Sequence, residues 1–149
     1  MKTAIIGTGT WGTALGVLVS DNGNDVIMWS AMPEEIDSIG FSHLHPSLGD
    51  AMIPDRIELT KDLETAMKDR ELLVLSVPSI YVRATAARMK EFYKPGQIIV
   101  IVAKGIEDRT LKTLDEQVAE EIPDAVIAIL SGPSHAEEVA RRLPTTCVI

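Results

Sequence analysis

The sequence predicts an α/β fold with a doubly wound, mostly parallel sheet, and three observations carry that expectation. Short runs rich in Val and Ile alternate with longer stretches of helical spacing, the pattern of repeated βαβ units. Most of the runs are continuously apolar and not alternating, as in strands covered by helices on both faces. A glycine-rich turn separates the first run from the first helical stretch.

Taken in order, a first strand is expected at Thr3–Ile6 and a first helix at Trp11–Asn22, opened by the glycine turn. Val26–Trp29 reads as the second strand and Pro33–Ile39 as the second helix. Pro33 suits a first helical position, and Glu34 and Glu35 behind it favour the positive end of the helix dipole, so both acids read as a solvated helix start. Phe41–Arg56, with two His, two Pro and one Gly, reads as a long loop leading to a short strand at Ile57–Leu59. Thr60-Lys61-Asp62 offers a start for a helix at Asp62–Lys68, and Pro78-Ser79 a start for one at Ile80–Phe92. Leu72–Val77, Ile98–Ala103 and Val126–Leu130 complete the strands, with a helix at Arg109–Glu121 between the last two and another at Ala136–Arg142. Pro144 and the β-branched run Thr145–Ile149 then end the chain without a turn or polar tail. An apolar strand cut in this way leaves an open edge, so a truncated chain with a missing C-terminal partner domain is expected. Cys147, inside that run, reads as buried core.

With 149 residues, 46% hydrophobic and 24% charged, the chain can bury a core as one domain over 1–149, and disorder is excluded. Lys and Arg number 14 against 22 Asp and Glu, a net charge of −8 that argues against nucleic acid or an anionic membrane as partner. One cysteine permits no internal disulfide and suits a reducing, cytoplasmic setting. Neither a signal-peptide pattern nor a membrane-length apolar run is present, so a soluble protein is expected.

Gly7-Thr8-Gly9-Thr10-Trp11-Gly12 is a G-x-G-x-x-G motif in the strand–turn–helix context that gives it meaning. Gly7 allows the tight turn, Gly9 lets backbone approach a pyrophosphate, and Gly12 permits close packing of helix on strand. The helix N-terminus offers free N–H groups to the anion. This marks a Rossmann-type dinucleotide-binding domain. Trp11 reads either as a core residue of the first helix or as a shield over the bound dinucleotide. Trp29-Ser30-Ala31, at the end of the second strand, supplies neither an acid for a ribose 2′-hydroxyl nor an Arg for a 2′-phosphate, leaving NAD and NADP both open. Lys104 closes the strand Ile98–Ala103 at its carboxyl end, where such sheets place ligands, and reads as a surface cap or as a charge for a phosphate or carbonyl oxygen. Ser134 with Glu137 fits a capping box, a role compatible with ligand contact. His43 and His45 are two apart in a loop, but no carboxylate or cysteine pattern joins them and no metal is expected.

The segments Gly7–Leu15, Asn22–Trp29, Val77–Arg83, Ala103–Glu107 and Ser131–Pro144 together resemble the N-terminal half of the bacterial NAD(P)-dependent glycerol-3-phosphate dehydrogenases, in family order and spacing. The resemblance implies cofactor contacts at Gly7, Gly9, Thr10, Trp11, Gly12, Ala31, Tyr81, Lys104 and Ala136. It implies substrate contacts at Lys104, Gly132 and Ser134, and no catalytic residue in this chain, because the family's proton-handling lysine lies in the helical C-terminal domain. Ala31 departs from the basic residue that much of the family carries there, which counts against a preference for the phosphorylated cofactor. A second departure is the Phe41–Pro54 loop, where His43 to Gly49 replace the family's R-x-N-x-x-Y-L-P pattern. His135 is a neighbour of the site and not a base. The implied function is hydride transfer between a nicotinamide cofactor and sn-glycerol 3-phosphate or dihydroxyacetone phosphate, a small phosphorylated substrate, supplying phospholipid synthesis. The resemblance also admits a homodimer through the missing domain. The rival reading is a non-catalytic dinucleotide-binding or redox-sensing module, which would have no need of a substrate pocket at Lys104, Gly132 and Ser134.

Overall fold

The computed structural model describes residues 1–149. Six parallel strands, β1 (Lys2–Ile6), β2 (Asp25–Trp29), β3 (Glu58–Thr60), β4 (Leu72–Leu75), β5 (Ile98–Ile101) and β6 (Val126–Ile129), pair in the order β3-β2-β1-β4-β5-β6. The doubly wound parallel sheet expected from the sequence is thus present, with its switch point between β1 and β4. Helices α1 (Thr10–Asp21), α2 (Pro33–Ser42), α3 (Leu63–Met67), α4 (Val82–Met89), α5 (Leu114–Glu121) and α6 (Ala136–Ala140) connect or follow the strands. No helix is long and apolar enough to cross a membrane.

The continuous apolar runs of the inner strands are explained by burial on both sides of the sheet, whereas the edge strand β6 leaves Val126 and Ile129 exposed. Ala4, Ile6, Ile27, Trp29, Leu73, Leu75, Ile99 and Ile101 pack on one face beneath residues of α3, α4 and α5. Ile5, Val26, Met28, Val74 and Val100 fill the other face, against α1 and Ile39 of α2. Neighbouring residues of one strand, such as Ile5 and Ile6, therefore serve different layers, as the two-residue period requires.

Several expected boundaries move. Residues 106–113 do not continue α5 towards Arg109. Glu107 N–H bonds to Lys112 O (2.9 Å) and Leu111 adopts a positive φ, closing a turn. The helix starts only where Thr113 and Glu116 form a reciprocal capping box. The other capping box, Ser134 with Glu137, does not form: His135 is the N-cap of α6 and no side chain caps it. Cys147 is exposed, contrary to the expectation of core. Its segment meets the domain through a single antiparallel bridge, Ser131 with Val148, which leaves one side of the run uncovered.

Candidate functional site

The carboxyl ends of the strands carry a groove in two lobes that share Gly9, Ser76, Val77 and Pro78. Where β1 and β4 diverge to opposite helices, their loops separate and leave a crevice, so a groove at this edge follows from the strand order.

The glycine turn forms its floor. Gly7 has φ +114°, and a Cβ there would stand 2.9 Å from Val77 N, so both conformation and space demand glycine. Gly12 lies behind the groove. A Cβ on it would overlap the Gly7 carbonyl oxygen and Ser76 Oγ, which is the close helix–strand packing expected of this position. Gly9 is different: it is the N-cap of α1, with φ −63°, and a Cβ there would meet nothing within 4 Å. No side chain caps α1 and its first turn holds no acid, so the N–H groups of that turn are available to an anion. Ser76 Oγ donates to Gly7 O (2.7 Å) and ties the turn to the end of β4.

The inner lobe, a cavity of about 480 Å³, is lined by Gly9, Thr10, Trp11, Lys104, Ser134 and Ala136 among others. Trp11 is half-buried, packing against the α1 face of the core while bordering the lobe, so its place in the core does not remove it from the groove. Lys104 Nζ donates to the Gly132 carbonyl (2.9 Å), joining the loop after β5 to the loop after β6. Gly132 itself does not line the lobe. Its φ of +148° and the Thr146 carbonyl 2.5 Å from a would-be Cβ explain why it is glycine. His135 borders this lobe from the start of α6.

The outer lobe, about 370 Å³, brings Ala31 and Tyr81 to the glycine turn. Tyr81 closes a short 3₁₀ turn, Ser79–Tyr81, ahead of α4 and is 56% exposed, a flat ring at the groove's rim. Here the structure corrects the reading of Glu35 as merely solvated. Its Oε2 accepts hydrogen bonds from Thr8 Oγ (2.8 Å) and Ser30 Oγ (2.5 Å), both on nearly buried residues, and Glu35 lines the lobe. Glu34 remains exposed. Local sequence hides this arrangement, because it requires a threonine 27 residues away. Ser76 was missed for a similar reason: only the neighbouring of β1 and β4 brings it to the glycine turn.

The loop that carries Lys104 is held from outside the groove. Arg83 on α4 forms a two-pronged pair with Glu107, Nε to Oε1 at 2.7 Å and Nη2 to Oε2 at 2.8 Å, and also reaches Glu120 and Glu121. The Arg83 guanidinium, helped by the Thr110 hydroxyl, holds the Glu107 carboxyl down at about 2, from an ordinary 4.5. A carboxyl depressed by folding stabilises above its ordinary value and loses that contribution as pH falls towards the folded one. The share of stability due to this pair is therefore present above pH 4.5 and lost between 4.5 and about 2. Glu107→Gln is expected to lower the melting temperature at pH 7 and to flatten the acid limb of a melting-temperature profile. An unchanged slope would show the pair to be inconsequential.

A profile of the family described as "NAD-dependent glycerol-3-phosphate dehydrogenase N-terminus" matches residues 2–149. A glycerol-3-phosphate dehydrogenase, NAD(P)+, of Agathobacter rectalis is 49% identical over 99% of this chain, and the one of Fusobacterium nucleatum 40% identical over all of it. The chain spans 44% and 45% of those two proteins. The crystal structure of glycerol-3-phosphate dehydrogenase from Coxiella burnetii superposes with a TM-score of 0.92 at 30% identity, covering 98% of this chain and 45% of that one. The match extends from the glycine turn through the Lys104 loop to the last residue, and this chain belongs to the NAD-dependent glycerol-3-phosphate dehydrogenase family, in the region of its N-terminal domain.

Proposed function

We propose that this chain is the dinucleotide-binding domain of an enzyme that interconverts sn-glycerol 3-phosphate and dihydroxyacetone phosphate by hydride transfer. The observation that carries the reading is the two-lobed groove, which runs from a bare glycine backbone at an uncapped helix N-terminus to a lysine tied to the Gly132 carbonyl in the lobe that Ser134 also lines. The residues fit a dinucleotide: the space a Cβ on Gly9 would fill is open, as close approach of a pyrophosphate requires. When bound, the cofactor supplies the hydride chemistry.

The chain's own residues orient and neutralise. Gly7, Gly9 and Gly12 shape the turn for the pyrophosphate, with Thr10, Trp11 and Ala136 walling the inner lobe and Ala31 and Tyr81 the outer one. The Lys104 ammonium, held at 2.9 Å by the Gly132 carbonyl, offers positive charge to a substrate phosphate or to a carbonyl oxygen as its negative charge grows. Ser134, not engaged as a helix cap, offers a hydroxyl donor in the same lobe. Transfer of the substrate proton falls to a lysine in a second, helical domain, through which the enzyme can also form a homodimer. The enzyme acts in the cytoplasm and feeds phospholipid synthesis.

Titrating the chain with NADH and NADPH, following quenching of its tryptophan emission, tests the first half of this reading. Saturable binding of at least one is expected. No binding of either at millimolar concentration would overturn it. A redox sensor built on the same groove would bind the dinucleotide yet leave the reaction of the complete enzyme insensitive to Lys104 and Ser134.

A further inference from the structure

We propose that Glu35 makes this domain select the dinucleotide that lacks a 2′-phosphate, NAD over NADP. The inference rests on the dinucleotide reading above and concerns the outer lobe. In a sheet of this strand order the adenosine ribose lies beyond the end of the second strand, where an acid accepts from the 2′-hydroxyl. The strand end itself, Trp29-Ser30-Ala31, has no such acid. Glu35 arrives instead from the first turn of α2, six positions past β2, and two hydroxyls return its carboxylate to the strand ends: Thr8 from the glycine turn after β1 and Ser30 from the end of β2. Ser30 Oγ in turn accepts from the N–H of Met32, the N-cap of α2, so the serine, the helix start and the acid form one chain of hydrogen bonds.

Both hydroxyls donate to Oε2, so Oε1 keeps its lone pairs for a further donor. A ribose 2′-hydroxyl is such a donor. A 2′-phosphate ester has no proton to give near neutral pH and brings about two negative charges towards a fixed carboxylate. The groups that could offset the repulsion are few. Ala31 is neutral. His45, on the Phe41–Pro54 loop, lies near Glu35 and Thr8, but burial outweighs the pull of Glu35 and pushes its imidazole below its ordinary range, so it carries little charge at neutral pH. Arg88 on α4 borders the same lobe, with its guanidinium centred 5.1 Å from the Trp29 ring, over the indole face. There it can pack along an adenine face. It is also the one residue able to rival Glu35 by receiving a 2′-phosphate.

The test is a set of dissociation constants for NADH and NADPH on this chain, by calorimetry, at neutral pH and low and high salt. Unmodified protein is expected to bind NADH at least about 30-fold more tightly, the effect of one charge-assisted hydrogen bond gained and one repulsion avoided. The ratio should narrow as salt screens the repulsion. Glu35→Gln, whose amide oxygen can still accept from Thr8 and Ser30, should narrow it about tenfold or more, chiefly by tightening NADPH. Ala31→Arg should favour NADPH less with Glu35 present, where the new guanidinium pairs with the carboxylate, than in the Ala31→Arg, Glu35→Gln double variant. A melting curve on each variant confirms folding, and the ratio for the unmodified protein stands whatever the variants do. NADPH bound as tightly as NADH by the unmodified protein would assign the 2′-phosphate to Arg88 and overturn the inference while leaving the dinucleotide reading intact. A ratio unmoved in folded Glu35→Gln would also overturn it. Binding of neither would overturn both.

Discussion

Replacing Lys104 with methionine is expected to lower kcat/KM of the enzyme that carries this domain by about 10² to 10³ while leaving its fold intact. The side chain is exposed and makes one hydrogen bond, to the Gly132 carbonyl, so its removal costs stability only about 0.5–1 kcal/mol, a shift of about 1–4 °C in melting temperature. Catalysis stands to lose far more. The ammonium lies in the inner lobe that Ser134 also lines, three residues past the end of β5, and on the proposed reading its attraction to substrate oxygen grows as charge develops there. Methionine keeps the apolar stem and most of the length and removes the ammonium, its charge and its bond to the Gly132 carbonyl. Steady-state kinetics and a thermal melt on the same variant separate the effects: unchanged kcat/KM would remove Lys104 from the active site, whatever happened to the melt. Arg83 and Glu107 enter the same argument at one remove, since their pairing holds the turn that begins three residues after Lys104.

The sheet and the glycine turn were readable because their causes are local. A strand buried on both faces must be apolar at every position, and Ile5 and Ile6 show this within two residues. The motif's spacing made Gly7 and Gly12 readable, and Gly7 supplies the carbonyl that Gly12 must clear, although Ser76 and Val77, at the end of β4, supply the rest of the crowding at both. The meeting of Lys104 with Gly132 followed from one rule, that parallel strands deliver their carboxyl ends to one edge. What escaped sequence reasoning depends on partners distant in the chain. Glu35 looks like any acid in a first helical turn until Thr8 is placed beside it. The start of α5 looked continuous with Arg109 until residues 107 and 112 closed a turn held by Arg83 from another helix. Ser134 and Glu137 have capping-box spacing, but His135 takes the N-cap, so the spacing is off by one and the serine hydroxyl stays with the groove. Cys147 has buried-type neighbours in sequence and too few in space.

The glycines of the turn should separate binding from folding. Gly9→Val is expected to weaken dinucleotide binding about 100-fold or more, a loss of about 2.7 kcal/mol, with a loss of stability of about 1 kcal/mol or less from placing a poor N-cap residue at the start of α1. The backbone at Gly9 has φ −63°, which valine adopts without strain, and a Cβ there meets no atom within 4 Å. The new side chain therefore has room in the free protein and takes it from the ligand, keeping the pyrophosphate off the α1 N–H groups. Gly12→Val should do the reverse in order of cause. Its Cβ would overlap the Gly7 carbonyl and Ser76 Oγ, so α1 must move away from β1 and β4, at a cost of about 1–3 kcal/mol or more. Binding would then fail because the turn is displaced, and the melting temperature would fall with it. Calorimetric titration with NADH beside a thermal melt distinguishes the two. If Gly9→Val bound NADH like the unmodified chain, the pyrophosphate would not lie on this turn. If Gly12→Val kept its melting temperature, the tight packing of α1 on the sheet would not be what makes glycine necessary there.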